Sequence, residues 1–322
     1  MRPTSLLRWL PLLLALVMVF GDATALAQDN GREPLTIGFS QVGSESDWRT
    51  AFTEITLAEA ERRGINLIFS NAENSQENQI AALRSFVEQS VDAIMLAPVI
   101  ETGWAPILQE IQAAGIPVVI IDRNVTADDS LYLTRISSDF VFEGRLAAAW
   151  LAQATSGNCK IVELQGTVGS SAARDREIGF NEVISLFPNM EIIVSQTADF
   201  RRAMGREVMA SILHTENPSE ICAVWSHNDD MAIGAIEAIK AAGLDPGDDI
   251  LIVSVDAIPD IFLAMMNGDA NATVELSPYM AGPAFDAIEA YLRGEPVPKW
   301  IPVNAGIYLP DTAAEEYARR KR

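Results

Sequence analysis

Residues 113–122 read AAGIPVVIID, and residues 241–256 read AAGLDPGDDILIVSVD. Each is a helix end, a glycine stop, an apolar strand and a carboxylate where the strand gives out. Glycine ends helices because it adopts the left-handed cap without steric penalty. The strand PVVII is continuously apolar rather than alternating, the pattern of a parallel sheet covered by helices on both faces. The arrangement occurs twice, so the chain reads as two similar α/β lobes rather than one large sheet. Ligands of open α/β sheets bind beyond the carboxyl ends of the strands. Asp122 and Asp256 therefore stand at mirrored positions where a ligand would lie.

Outward from these segments the same alternation continues. Leu35–Ser40 is an apolar strand leading into the polar loop QVGSESDW, and a helix over 47–63 carries Trp48, Phe52 and Ile55 on one stripe and ends at Gly64. Strands at 66–70 and 93–97 alternate with helices at 76–89 and 106–114. In the second half, strands at 160–164, 191–195, 223–226, 250–255 and 272–276 alternate with helices at 203–213, 231–242 and 259–267. The stretch GTVGSSAARDR after the first of these strands reads as a polar loop. A helix over 282–292 returns the chain to the first lobe. The expected division is 34–137 plus 276–306 for lobe one and 138–275 plus 307–322 for lobe two, joined by a hinge with a cleft between them.

Residues 1–27 carry an early positive charge, a short apolar run from Trp9 to Phe20 and the small-residue site Ala25-Leu26-Ala27. This is the pattern of a secretory signal peptide cut after Ala27, and the run is shorter than the ~20 residues a membrane span needs. A net charge of −21 excludes a basic nucleic-acid face. The two cysteines, Cys159 and Cys222, lie before the first and at the start of the third strand of lobe two, which neighbour each other in a doubly wound sheet. At one sheet edge of an exported protein they are expected to form a disulfide. Two histidines leave too little material for a metal site, and no motif calls for a cofactor.

The strand ends and their loops collect Glu45, Ser46, Asp47, Trp48 and Arg49, then Asp122 and Arg123, then Arg174, Asp175 and Arg176, then Asp199 and Phe200, then Asn228, and finally Asp256, with Glu275 on the strand that heads back to lobe one. Such a set suits a neutral polyhydroxylated ligand. A carboxylate accepts from vicinal hydroxyls, arginine offers a rigid fork of donors, and asparagine does both. Acids and arginines together also balance their charge. Trp48 lies on the apolar stripe of its helix and reads equally as core or as a stacking surface. Asp229 and Asp230 open a helix and read as caps. Arg174 reads as solvated or as part of the site. No G-x-S-x-G elbow, P-loop or G-x-G-x-x-G is present. Asp122 with Asp256 is the one carboxylate pair that invites glycoside hydrolysis, and its mirrored placement fits ligand capture better.

GFSQVGSESDWR (38–49), QENQIAALRSFVEQSVDAIMLAPV (76–99), IPVVIIDR (116–123), ELQGTVGSSAARDR (163–176), SQTADF (195–200), HNDDMAIGAIEAIKAAG (227–243), VDAIPD (255–260) and AGPAFDAIE (281–289) resemble the type I periplasmic sugar-binding proteins, the ribose-binding-protein group. The first loop together with ETGW (101–104) is most similar to the galactofuranose-binding branch that serves ABC transporters. The resemblance implies two lobes with three crossings, closing on one monosaccharide that is handed to a membrane permease by a monomeric periplasmic receptor. Carried over by position, Glu45, Ser46, Trp48, Arg49, Asp122, Arg123, Arg176, Asn228 and Asp256 contact the ligand, and Phe200 and Glu275 match further pocket positions. The family pattern selects Arg176 over Arg174. Asp47 stands where the galactofuranose-type loop has Gly, and it adds a polar contact or caps the helix. The rival readings are a receptor for ribose, arabinose or galactose, a chemotaxis or sensor module, a sugar-responsive repressor, and a periplasmic glycosidase.

Overall fold

The structure, a computed structural model, describes residues 34–321. The expected signal peptide and its cleavage site lie outside the described residues. No helix among the described residues is long and apolar enough to cross a membrane.

The first lobe is built on β1 (Thr36–Gln41), β2 (Asn66–Asn71), β3 (Ala93–Leu96), β4 (Val118–Ile121) and β5 (Thr134–Ser137), with α1 (Asp47–Arg63), α2 (Gln76–Glu88) and α3 (Ala105–Ala113) between them. The sheet order β2-β1-β3-β4-β5 is that of a doubly wound parallel sheet. Burial follows: β3 and β4 are buried along their whole length, as strands with helices on both faces must be. Gly64 closes α1 at φ 67°, the left-handed value that glycine accepts freely.

The second lobe repeats the plan with α4 (Phe140–Ala154), β6 (Asn158–Gln165), α5 (Ser171–Ile184), β7 (Asn189–Thr197), α6 (Arg202–Thr215), β8 (Ala223–Ser226), α7 (Asp229–Ala241), β9 (Leu251–Asp256), α8 (Pro259–Met266) and β10 (Ala272–Glu275). Its order is β7-β6-β8-β9-β10. The chain then returns to the first lobe with α9 (Ala281–Leu292) and β11 (Trp300–Pro302), which pairs parallel with β5. It ends in the second with β12 (Ile307–Tyr308), antiparallel to β10, and α10 (Ala313–Arg320). The chain thus passes between the two sheets three times, after β5, β10 and β11.

Two departures from the sequence reading bear on the site. The segment read as a polar loop after β6 is largely helix α5, because the Ser170 hydroxyl caps the first turn by accepting from Ala173 N at 3.3 Å. Moreover, α4 and α5 touch backbone to backbone. A Cβ on Gly144 would lie 2.2 Å from Arg176 O, and one on Gly179 1.9 Å from Val141 O. Only glycine allows this approach, which seats Arg176 against α4. The cysteines form the Cys159–Cys222 disulfide with a Cα separation of 5.3 Å. It joins the N-terminal ends of the adjacent interior strands β6 and β8 rather than an outer edge of the sheet.

Candidate functional site

Six loops converge between the lobes on a narrow cavity with about 20 Å³ of free space. The first lobe supplies Glu45, Ser46, Trp48, Arg49, Asp122 and Arg123. The second supplies Ala172, Arg176, Phe200, Asn228 and Asp256, and Leu276 lies at a crossing. That space is about the size of one water molecule, so the side chains that line it are closely packed around it.

On the first-lobe side, Ser46 caps α1 through its hydroxyl, which accepts from Arg49 N at 3.1 Å. The cap sets the direction of Trp48 and Arg49. The Trp48 indole donates to Leu276 O at 2.7 Å and stacks on Phe52 with ring centroids 5.3 Å apart. The ring completes the core, as one reading expects, and also borders the cavity. Arg49 reaches Glu45 at 3.2 Å and Asp122 at 2.7 Å, and Arg123 reaches Glu45 at 3.3 Å. Burial pushes Glu45 up, but Arg49 and Arg123 together outweigh it and hold the carboxyl below its usual range. Arg123, buried and beside Arg49, is pushed down to about 10.

On the second-lobe side, Arg176 donates to Glu143 at 2.9 Å and to His227 O at 2.6 Å, and lies 3.8 Å from Asp256. Burial drives the Asp256 carboxyl well above its usual value, against the pull of Arg176. The Phe200 ring is within cation–π range of two guanidinium groups, Arg123 at 5.1 Å and Arg176 at 6.0 Å. Asn228 caps α7, accepting from Met231 N at 3.0 Å and donating to Phe200 O at 3.1 Å.

The mirrored aspartates share a backbone signature. Asp122 has φ 65° and Asp256 φ 122°, with Phe200 at φ 60°. L-residues avoid this region, and its occupants gather at ligand sites where the surroundings over-determine them. A second signature is polar. Glu45 Oε2 and Arg176 Nη2 are buried with no hydrogen-bond partner. Asp122 Oδ2 is held by Arg49 in an ion pair at 2.7 Å. Orphaned buried polar atoms are rare in folded proteins, and these two belong to residues that line one cavity.

Four residues are placed differently from the sequence reading. Asp47 is exposed, lies outside the cavity and pairs with Arg202 at 2.7 Å. Glu275 turns away to Arg320 at 2.7 Å and accepts from the Tyr308 hydroxyl. Asp229 and Asp230 sit in the first turn of α7, but Asn228 is the cap. Asp229 accepts from Ser254 and Thr273 hydroxyls and from Ile258 N, and burial raises it to about 7. It thereby pins both sides of the strained Asp256 turn. Sequence reading also missed Ala172 and Leu276 in the lining and Glu143 behind Arg176. Only the bare acid on an apolar helix stretch, FVFEGRLAAAW, signals Glu143.

Among the described residues, no group of three or more His, Cys, Asp and Glu is arranged to hold a metal ion. Residues 37–296 match the family described as a periplasmic binding protein domain. Over 310 residues, 95% of this chain and 98% of the relative, the sequence is 52% identical to the galactofuranose-binding protein YtfQ of Escherichia coli (strain K12). The periplasmic binding protein component of the arabinose ABC transporter from Shewanella sp. ANA-3, bound to α- and β-L-arabinofuranose, superposes with a TM-score of 0.87 at 60% identity, covering 89% of this chain and 95% of that one. A galactofuranose binding protein superposes with a TM-score of 0.88 at 54% identity, covering 89% and 99%. With two doubly wound parallel sheets enclosing one polar cavity, the chain belongs to the periplasmic binding protein family, type I.

Proposed function

We propose that this chain is the exported receptor of an ABC sugar importer and that its cavity takes one monosaccharide in the furanose form, galactofuranose first. The observation that carries this reading is the cleft cavity lined by Glu45, Asp122, Asp256, Arg49, Arg123 and Arg176 and bordered by two buried polar atoms without a hydrogen-bond partner, one acceptor and one donor. Vicinal sugar hydroxyls satisfy such a set. Hydrogen bonds to charged groups contribute ~1.5–3 kcal/mol each, so a few suffice, after the losses of association, for micromolar affinity near −8 kcal/mol. The 52% identical relative named for galactofuranose supports the choice of sugar. A second reading, arabinofuranose, rests on the 60% identical structure bound to that sugar.

In this reading the lobes, 34–137 plus 276–306 and 138–275 plus 307–322, rotate about the three crossings and close on the sugar. The ligand touches both walls and so stabilises the closed form, which the permease recognises. Residues 1–27 direct export and are cut after Ala27, and the receptor works as a monomer in the periplasm. No turnover is expected.

The test is titration calorimetry on protein stripped of sugar by unfolding and refolding. Galactofuranose is compared with galactopyranose, L-arabinose and ribose. Micromolar or tighter binding of galactofuranose without hydrolysis is the expected result. Preference for arabinofuranose would move the ligand to the second reading, and binding of none of these sugars would remove both.

A further inference from the structure

Outside the cavity, charged groups of the two lobes meet at two points of the cleft. After β1, Arg202 of α6 pairs with Asp47 at 2.7 Å and with Asp230 at 3.0 Å. Asp230 itself crosses the cleft, accepting from Asp47 N at 2.8 Å. A second-lobe carboxylate thereby satisfies a free N–H in the first turn of α1, the helix that carries Trp48 and Arg49. After β3, Arg174 of α5 pairs with Glu101, and Glu101 N donates to Gly169 O at 2.9 Å. Asp47, Glu101, Arg174 and Arg202 are all absent from the cavity lining.

We propose that Asp47–Arg202 and Glu101–Arg174 form a two-point latch that sets how long the closed receptor holds its sugar, without touching the sugar. The proposal rests on the functional reading above. Each pair draws its acid from the first lobe and its arginine from the second, so separating the lobes breaks both. Asp230 also keeps Arg202 in place, as does Asp260 at 2.8 Å. Partly exposed ion pairs are individually weak, each shifting an equilibrium by roughly two- to fivefold. Here that whole shift falls on the closed state, since the open state has none of it. The effect therefore appears in dissociation rather than association.

Stopped-flow measurement of galactofuranose and L-arabinose release tests this by charge exchange. Glu101→Arg and Arg174→Glu are each expected to speed release by roughly three- to tenfold, with a smaller change in the association rate, and the double exchange to return it to within about twofold of the wild type. Asp47→Ala, at an exposed position, is expected to speed release by roughly twofold and to flatten its dependence on salt. Unliganded melting temperatures separate these effects from loss of fold. Single and double exchanges that release sugar at the same rate, or wild-type release rates throughout, would overturn the latch while leaving the receptor role intact. A wild-type protein that binds neither sugar would overturn the functional reading and the latch with it.

Discussion

At the end of β4, Asp122 lies 2.7 Å from Arg49. At the end of β9, the matching Asp256 lies 3.8 Å from Arg176. The two walls of the cavity use equivalent strand ends yet bury charge differently. The first-lobe wall sets two carboxylates, Glu45 and Asp122, against two guanidinium groups, Arg49 and Arg123, and Glu45 is held low. In the second-lobe wall, one arginine serves Glu143 and Asp256, with Asp229 buried just behind. Burial raises all three of these carboxyls. The first wall is therefore a preassembled ionised network. The second is short of cations, and a carboxyl such as Asp256 takes up a proton more readily and can then donate to a sugar oxygen as well as accept from one.

The contrast is broken most directly at the arginines. Arg176→Ala leaves Glu143 buried without a partner and is expected to destabilise the fold by roughly 3–5 kcal/mol as well as abolish tight binding. Arg123→Ala leaves Glu45 still paired with Arg49 and is expected to destabilise by only roughly 1–3 kcal/mol. Chemical denaturation of both variants measures the difference, and equal losses would mean that the two walls are equivalent.

The disulfide belongs to the second lobe alone and closes a separation of 63 residues. Its removal by Cys159→Ala with Cys222→Ala is expected to lower stability by about 4 kcal/mol through the freed chain of the unfolded state. Sugar affinity should stay near the wild-type value, because the bridge ties strand starts while the cavity lies at strand ends. A large fall in affinity would show that the bridge shapes the site.

Trp48→Ala, on the first wall, is expected to weaken binding by roughly 1–3 kcal/mol, read by calorimetry. It also removes the hydrogen bond to Leu276 O at a crossing, so the melting temperature of the unliganded protein should fall too. Unchanged affinity in a folded variant would return the ring to the core alone.

The smallest effect is in pH. A carboxyl whose folded pKa is raised stabilises the fold fully below its unfolded value near 4, and the contribution is lost as pH rises through the folded value. That folded value is about 7 for Asp229 and about 6 for Asp230. Glu45 acts in the opposite direction, contributing above its unfolded value and losing that as pH falls through its lowered folded value. The melting temperature should therefore climb from pH 8 to about pH 5 and drop below about pH 4. Asp229→Asn should remove part of the climb. A flat profile between pH 8 and 5 would erase the electrostatic difference between the walls.

Much of this molecule is written in its chain. Continuous apolar strands, glycine stops and the repeated strand-end aspartate carry the two-lobed α/β plan, because a parallel sheet leaves a one-dimensional trace in hydropathy. The same logic reached Asp122, Arg123, Asn228 and Asp256, since strand ends in such sheets point at the cleft. Other elements leave no such trace. Helix α4 is apolar nearly all round and shows no face, and β12 is two residues that become a strand only by pairing with β10. Helix α5 reads as a loop until its contact with α4 is seen. The directions of long charged side chains were also beyond the chain's reach. Glu275 and Arg320 are 45 residues apart, and Asp47 and Arg202 are 155 apart. Partners so distant are chosen only when the lobes fold and meet. Sequence determined the architecture and the identity of the strand-end residues, because both follow from local periodicity. Tertiary structure alone decided which acids face the cavity, which arginines neutralise them and which span the cleft, because burial and the distance between charges exist only in the folded chain.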